Sequence, residues 1–399
     1  MPFRHATRSV LGWMLLASVS LTPSVALAAI VVVRGGAEAI ACERIDFERG
    51  GLRITKAGVA SSIPWDQVQT VTDRPLTETE RGQLAVATEL WRARSRVQRG
   101  DYPLASALLE KHFATFRGSN TEVALIVAEG LLRCRLSTSR EADRLASILP
   151  ALEVARLRRA KITTDRYATL PPVLDDATLL SPALAPTWQP DAGTEAIATE
   201  IDRAFPDGAT PPVDAETLRM ARVYAALLRG AAPPVGKREE GGVGLLAAMA
   251  ELSRTGADQP SLDAEARAKA RTAALSAAKS LPTWARGWAG FAVGRSLVAE
   301  EDRDARVQGV LRLLEVAALG PDCPPSLANE ALALSAEALR TMGDAESAAI
   351  VERELAGRGG GVAIRKRQAA PGATTNSKGQ ASEPAPASNE SKQAPQPTS

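Results

Sequence analysis

The stretch TETERGQLAVATELWRARSRVQRGDYPLASALLEKHFATF, residues 77–116, decides how the chain folds. Val86, Leu90, Ala93 and Val97 recur at helical spacing, and after a break so do Ala105, Leu109 and Phe116. Each set therefore lies on one face of an α-helix, and the two faces pack together. The first helix opens on Thr77-x-x-Glu80, a capping box in which the two side chains satisfy backbone amides of the first turn. The same pattern at Ser119-x-x-Glu122 and Thr138-x-x-Glu141 predicts two further helix starts, the first followed by Val123, Val127, Leu131 and Cys134. Between the first two helices stands Gly100-Asp101-Tyr102-x-x-Ala105, which predicts a Gly stop, an Asp cap and a small residue for close packing.

Towards the N-terminus the period changes from helical to alternating. Ile30 to Val33, Ile40 to Glu48, Leu52 to Ile54 and Val59 to Ile63 read as short strands, with a hairpin turn at Gly50-Gly51. Residues 29–73 are thus expected to form a small antiparallel β-module, ending in Ile63-Pro64-Trp65-Asp66. So small a unit needs support from a neighbour, and Trp65 is the expected contact. From Val33-Arg34-Gly35-Gly36 to Ile63-Pro64-Trp65-Asp66 the stretch resembles the Sm-like or SH3-like β-modules found at the start of some exported bacterial proteins.

Towards the C-terminus the helical pattern fills residues 77–166 and thins over 167–213. Pro171, Pro172, Pro182, Pro186, Pro190, Pro211 and Pro212 exclude continuous helix there, apart from a short one around Glu195 to Ala204. A Pro-rich linker or ordered surface excursion between two helical halves is expected. The second helical region, 214–357, resumes with Leu218, Ala221, Ala225 and Leu228. Gly359-Gly360-Gly361 reads as a helix stop and joint, and beyond Ile364 there is no Val, Leu, Ile, Met or aromatic residue. Residues 358–399 are therefore expected to be a disordered tail, unable to bury enough apolar surface to offset chain entropy.

Gly100-Asp101-Tyr102-x-x-Ala105 resembles the inter-helix turn of a tetratricopeptide repeat, and Gly343-Asp344-Ala345-x-x-Ala348 is a second copy, preceded by Leu332, Ala336 and Leu339. Glu89 and Arg92 stand where that family places an aromatic and a Leu, so the resemblance is to degenerate hairpins. It implies a mainly α fold, a tetratricopeptide-like α-solenoid of helical hairpins behind the β-module. The composition agrees: 45% of the residues are hydrophobic but only 4% aromatic, which suits helix-on-helix packing through small side chains.

Residues 1–28 carry Arg4 and Arg8, an apolar run from Val10 to Val19 and Ala26-Leu27-Ala28, the plan of a secretory signal peptide. Ala29 follows, not the Cys of a lipoprotein. A periplasmic or secreted protein is expected. Of 48 basic and 46 acidic residues, Arg4 and Arg8 leave with the signal and no acid does, so the exported chain is balanced. Nucleic acid, which calls for a basic excess, is not an expected partner. Cys42, Cys134 and Cys323 are far apart and read as isolated buried thiols, although an oxidising compartment permits one pair.

Catalytic signatures are missing from the sequence. It has no Gly-x-Ser-x-Gly elbow, no phosphate loop and no His-Glu-x-x-His, and after the signal its one His is His112, expected as a packed helix residue. Glu300-Glu301-Asp302-x-Asp304 reads as a helix cap and Arg365-Lys366-Arg367 as a solubilising junction. No cofactor and no metal site is expected. The candidate partner-binding residues are Trp284, Trp288 and Phe291, at i, i+4 and i+7 of one helix. Gly287, Gly290, Gly294, Val293 and Leu297 on its other sides favour burial of that helix, which would make the aromatics core. The functional expectation is a non-enzymatic interaction or scaffold protein of the cell envelope, its partner another protein or peptide. The alternative is an envelope hydrolase or polysaccharide-active protein with an all-carboxylate site.

Overall fold

The computed structural model describes residues 29–36, 39–138, 140–206, 208, 213–234, 241–254 and 263–359. The expected signal segment, the Arg365-Lys366-Arg367 run and the tail from residue 360 lie outside the described residues. The described chain is mainly helical, with a small antiparallel β-module at its start.

The module holds two three-stranded antiparallel sheets. In one, β1 (Ala29–Val33) lies between β2 (Ile40–Cys42) and β6 (Val68–Thr72); in the other, β4 (Gly51–Lys56) lies between β3 (Arg44–Glu48) and β5 (Val59–Pro64). The expected hairpin pairs Ile45 with Ile54 and Glu48 with Gly51. Val31, Leu52, Ile54, Val68 and Val71 bury the inner face. Between β5 and β6 a 3-10 turn, Trp65 to Gln67, packs on the first helix. Trp65 is buried, donates its indole N–H to Arg49 O at 3.1 Å and lies against Phe47.

The first helical region comprises α1 (Glu78–Gln98), α2 (Tyr102–Phe116), α3 (Glu122–Leu136), α4 (Glu141–Ala146) and α5 (Ile148–Arg159). Thr77 and Glu80 form the capping box expected of them. The other two starts need correction. Thr121, not Ser119, caps α3 by accepting from Ala124 N at 3.2 Å, while the Ser119 hydroxyl donates back to Phe116 O. Before α4, Thr138 accepts from Arg140 N, and Arg140 stands at the N-cap with no side-chain bond. Asp101 likewise makes no cap bond, whereas Asp344 in the second copy accepts from Ser347 N at 3.0 Å. Both turns rely on a glycine in the left-handed region, Gly100 at φ 76° and Gly343 at φ 85°, and both bury the Ala that follows, Ala105 and Ala348.

The Pro-rich segment is not a linker laid over the surface. Tyr167, Leu174, Leu180, Leu184 and Trp188 are buried in the same apolar cluster as both helical regions. Tyr167 donates to Ile126 O of α3, and Pro182 O accepts from the Trp288 indole at 3.1 Å. Proline does forbid helix here, but irregular backbone still delivers side chains to a core when partners take up its polar groups. α6 (Ala192–Ala204) is the short helix expected, and it packs on α7 (Ala215–Arg229).

From α7 the chain continues through α8 (Gly241–Leu252), α9 (Ala264–Lys279), α10 (Thr283–Val298), α11 (Arg303–Ala317), α12 (Pro325–Thr341) and α13 (Ala345–Gly357). Each packs on its neighbour in sequence, and α10 also touches α8 and α12. These three form an inner layer. α9 and α11 belong to the outer layer and make no comparable contact with each other. α10 and α11 lie close together because glycines line their contact: a Cβ on Gly294 would stand 2.7 Å from Leu313 Cγ of α11.

Candidate functional site

The three aromatics on α10 lie inside the protein. Trp288 and Phe291 are 0% exposed and Trp284 8%, with the two indoles packed edge to face. A partner-binding role would need these residues on the surface, and the described structure has them in the core.

Titratable groups are placed by packing. His112 is buried on α2 and shares a 2.7 Å hydrogen bond with Glu89 Oε2 of α1. Lys111 also donates to Glu89, and this bond with that of His112 holds the carboxyl below its ordinary value against a smaller burial effect. Asp66, fully buried at the foot of the β-module, pairs with Arg94 of α1 at 2.5 Å and with Arg166 at 3.4 Å. Burial nonetheless raises its pKa, outweighing the two guanidinium groups. Nothing in the sequence announced this junction beyond the quoted Trp65-Asp66. Cys42, Cys134 and Cys323 are free and buried. Burial pushes Cys134 up to about 12 and Cys323 up to about 11, which leaves little thiolate at neutral pH. Among the described residues no group of His, Cys, Asp or Glu is arranged to hold a metal ion, and no helix is long and apolar enough to cross a membrane.

The acidic cluster splits its work. Asp302 caps α11 by accepting from Ala305 N at 2.8 Å, and Glu300 is clasped by Arg267, at 3.0 and 3.2 Å, and by Arg271. Those bonds, that of Arg271 first, lower the Glu300 pKa.

Among the described residues, the second helical region carries a larger and a smaller recess. The larger, about 710 Å³, lies among the ends of α8, α9 and α10 and the Pro-rich segment, lined by Trp188, Leu227, Arg254, Arg267, Arg295 and Glu300. Several of its charged side chains already have partners. Arg267 holds Glu300, Arg254 pairs with Glu251 at 3.2 Å, and Arg295 bonds Ser253 Oγ and lies 5.6 Å over the Phe291 ring. The Arg267–Glu300 ion pair links α9 to the end of α10, and the Arg295 bond to Ser253 links α10 to the end of α8.

The smaller recess, about 370 Å³, is a groove between the outer helices α9 and α11, with α10 as its floor. Ala278, Ala289, Gly290 and Val316 form the bottom, and Leu275 and Leu319, both half-buried, form the sides. Lys279, Arg286, Arg312 and Glu315 stand around the rim. The last two pair with each other at 2.7 Å, and Lys279 and Arg286, both exposed, form no ion pair among the described residues. The groove exists because inner helices touch while α9 and α11 stay apart. A sequence signal for it was present in hindsight: Lys279 and Arg286 flank the α9–α10 turn, and α10 opens without an acidic residue.

Comparison with known proteins finds no match, whether to a family model, a curated protein or a solved structure.

Proposed function

We propose that this chain is an exported, non-enzymatic interaction protein of the cell envelope, and that the groove over α10 receives a segment of its partner. In this reading the helices are degenerate tetratricopeptide-like hairpins and the β-module is Sm-like or SH3-like, a support and second contact surface. The observation that carries the proposal is the groove itself. Its volume, about 370 Å³, lies within the range of roughly 300–1,000 Å³ typical of ligand sites, and its floor is apolar. The larger cleft competes poorly, because a ligand there must displace the Arg267–Glu300 ion pair that links α9 to the end of α10 and the Arg295 hydrogen bond to Ser253 that links α10 to the end of α8.

The test uses the full chain and its Leu275→Glu variant as baits against envelope extract, with mass spectrometry of what each retains. Leu275 is half-buried at the groove wall, so the variant places a charge where the partner's apolar side chain would sit. The expected outcome is a protein held by the parent and lost by the variant at unchanged melting temperature. Equal retention by both baits, or no specific protein on either, removes the groove from the reading.

A further inference from the structure

The groove's electrostatics are one-sided. α10 begins at Thr283 after Pro282, which makes no side-chain cap bond, and its first turn carries no acidic residue. The aligned peptide dipoles make that end positive, equivalent to roughly half an elementary charge. Arg286 stands one turn in, exposed and without an ion-pair partner among the described residues, where its charge adds to the helix end instead of opposing it. The two neighbouring helix ends are compensated. Lys279 sits in the last turn of α9, and Arg358 of α13 donates to Ala317 O at the end of α11, at 3.0 Å. So the negative ends near the groove each meet a cation, and the positive end meets none of the opposite sign. On the rim Glu315 is bound to Arg312, which leaves Lys279, exposed beside the α9 C-terminus, and Arg286 as a net positive border around an apolar floor.

Resting on the reading of the groove as the partner site, we infer that its occupant is an acidic peptide segment of a partner protein. A large apolar side chain enters between Leu275 and Leu319, and flanking carboxylates meet Lys279 and Arg286 near the positive end of α10. Apolar floor and positive border together define that class. A basic segment would meet like charges, and an uncharged one would leave the border unanswered. The cavity holds anchoring side chains and not a whole helix, since a packed helix is about 10–12 Å across with its side chains. The contact is accordingly small and suited to a transient partner.

The experiment is fluorescence polarisation with the full chain and two labelled probes. One is the peptide Gly-Ser-Glu-Asp-Leu-Phe-Glu-Asp-Ser-Gly; the other has Gln and Asn in place of its Glu and Asp. The acidic probe is expected to bind roughly tenfold more tightly at low salt, the scale of two exposed ion pairs plus a helix end, with the advantage fading as salt rises. In Lys279→Glu/Arg286→Glu, where both changes are on exposed side chains that leave the core untouched, the preference should reverse. Equal binding of the two probes, lost in Leu275→Glu, overturns the acidic class and leaves the groove standing as a binding site. Binding of neither probe, or binding that Leu275→Glu does not change, overturns both. A preference that survives in the double variant overturns the assignment of the carboxylates to Lys279 and Arg286.

Discussion

The first helical region buries charge and the second buries glycine and tryptophan. On α3 and α5, Glu129 pairs with Arg133 at 2.7 Å and Glu153 with Arg156 at 2.8 Å, all four side chains being buried. Arg156 also donates to Asn120 Oδ1 and Ser119 O, and Glu153 accepts from Gly118 N, so one pair latches the whole α2–α3 turn. Among the described residues every buried Asp, Glu or Arg lies before residue 157. The second region does without them. α10 carries two fully buried aromatics and approaches α11 through Gly290 and Gly294, so shape does there what directed polar bonds do in the first region. Buried pairs are costly to desolvate and often neutral in stability, but they fix which partner each group must find. The region without them keeps its charges on the surface, and that is where the unpaired cations of the groove stand.

The comparison breaks most sharply at Trp288. Replacing it with Ala removes a fully buried side chain whose indole donates to Pro182 O, leaving a cavity and an unsatisfied carbonyl. A loss of about 3–5 kcal/mol is expected, at the upper end because both effects act at once. Chemical denaturation measures it, and a loss under ~1 kcal/mol would show that the second core does not depend on shape in this way.

Arg156 supplies the matching test in the first region. Arg156→Ala leaves Glu153 buried and charged, but still accepting from Gly118 N, so about 3 kcal/mol is expected, the low end for a broken buried pair. Replacing both residues together with Leu should restore much of that loss, since two apolar side chains leave no orphaned charge. A double variant no more stable than the single one would mean that the latch on Ser119 and Asn120 outweighs the cost of desolvation.

Local signals in the sequence were legible where short-range chemistry decides. The Thr77 and Glu80 box, the Gly100 and Gly343 turns, the Gly50 hairpin and the helical faces of α1 to α3 all depend on residues within one turn of each other. Where two candidates stood close together the reading slipped: Ser119 and Thr121 both suit an N-cap, and only the path of the chain gives the role to Thr121. The Pro-rich segment was legible as non-helical but not as buried. Leu174, Leu180, Leu184 and Trp188 have no regular spacing, and the surfaces that cover them come from distant elements. The candidate site was the least legible part. A groove made by contacts from α8 to α10 to α12, with α9 and α11 held apart, belongs to the stacking and not to any single helix's pattern.

The smallest expected effect concerns Glu300, where the second region uses an ion pair at its surface instead of in its core. Arg271 and Arg267 lower its pKa below the ordinary 4.5, so the folded state holds the ionised form more firmly than the unfolded chain does. A depressed carboxyl contributes stability that is fully present above the unfolded value and is lost as pH falls through the folded one. Asp66, raised by burial, works in the opposite direction: its protonation on acidification favours the folded state over the window between its ordinary value and its raised one. Glu300→Gln should therefore lower the melting temperature at pH 7 by a small amount, since the carboxyl is partly solvated, and the difference from the parent should begin to shrink near pH 4.5 and vanish as pH falls through the lowered folded value. Thermal melts of both proteins across that range check it. A difference that persists unchanged in acid would mean that the Glu300 side chain contributes through packing against Arg267 and Arg271, and that charge at this seam carries no stability.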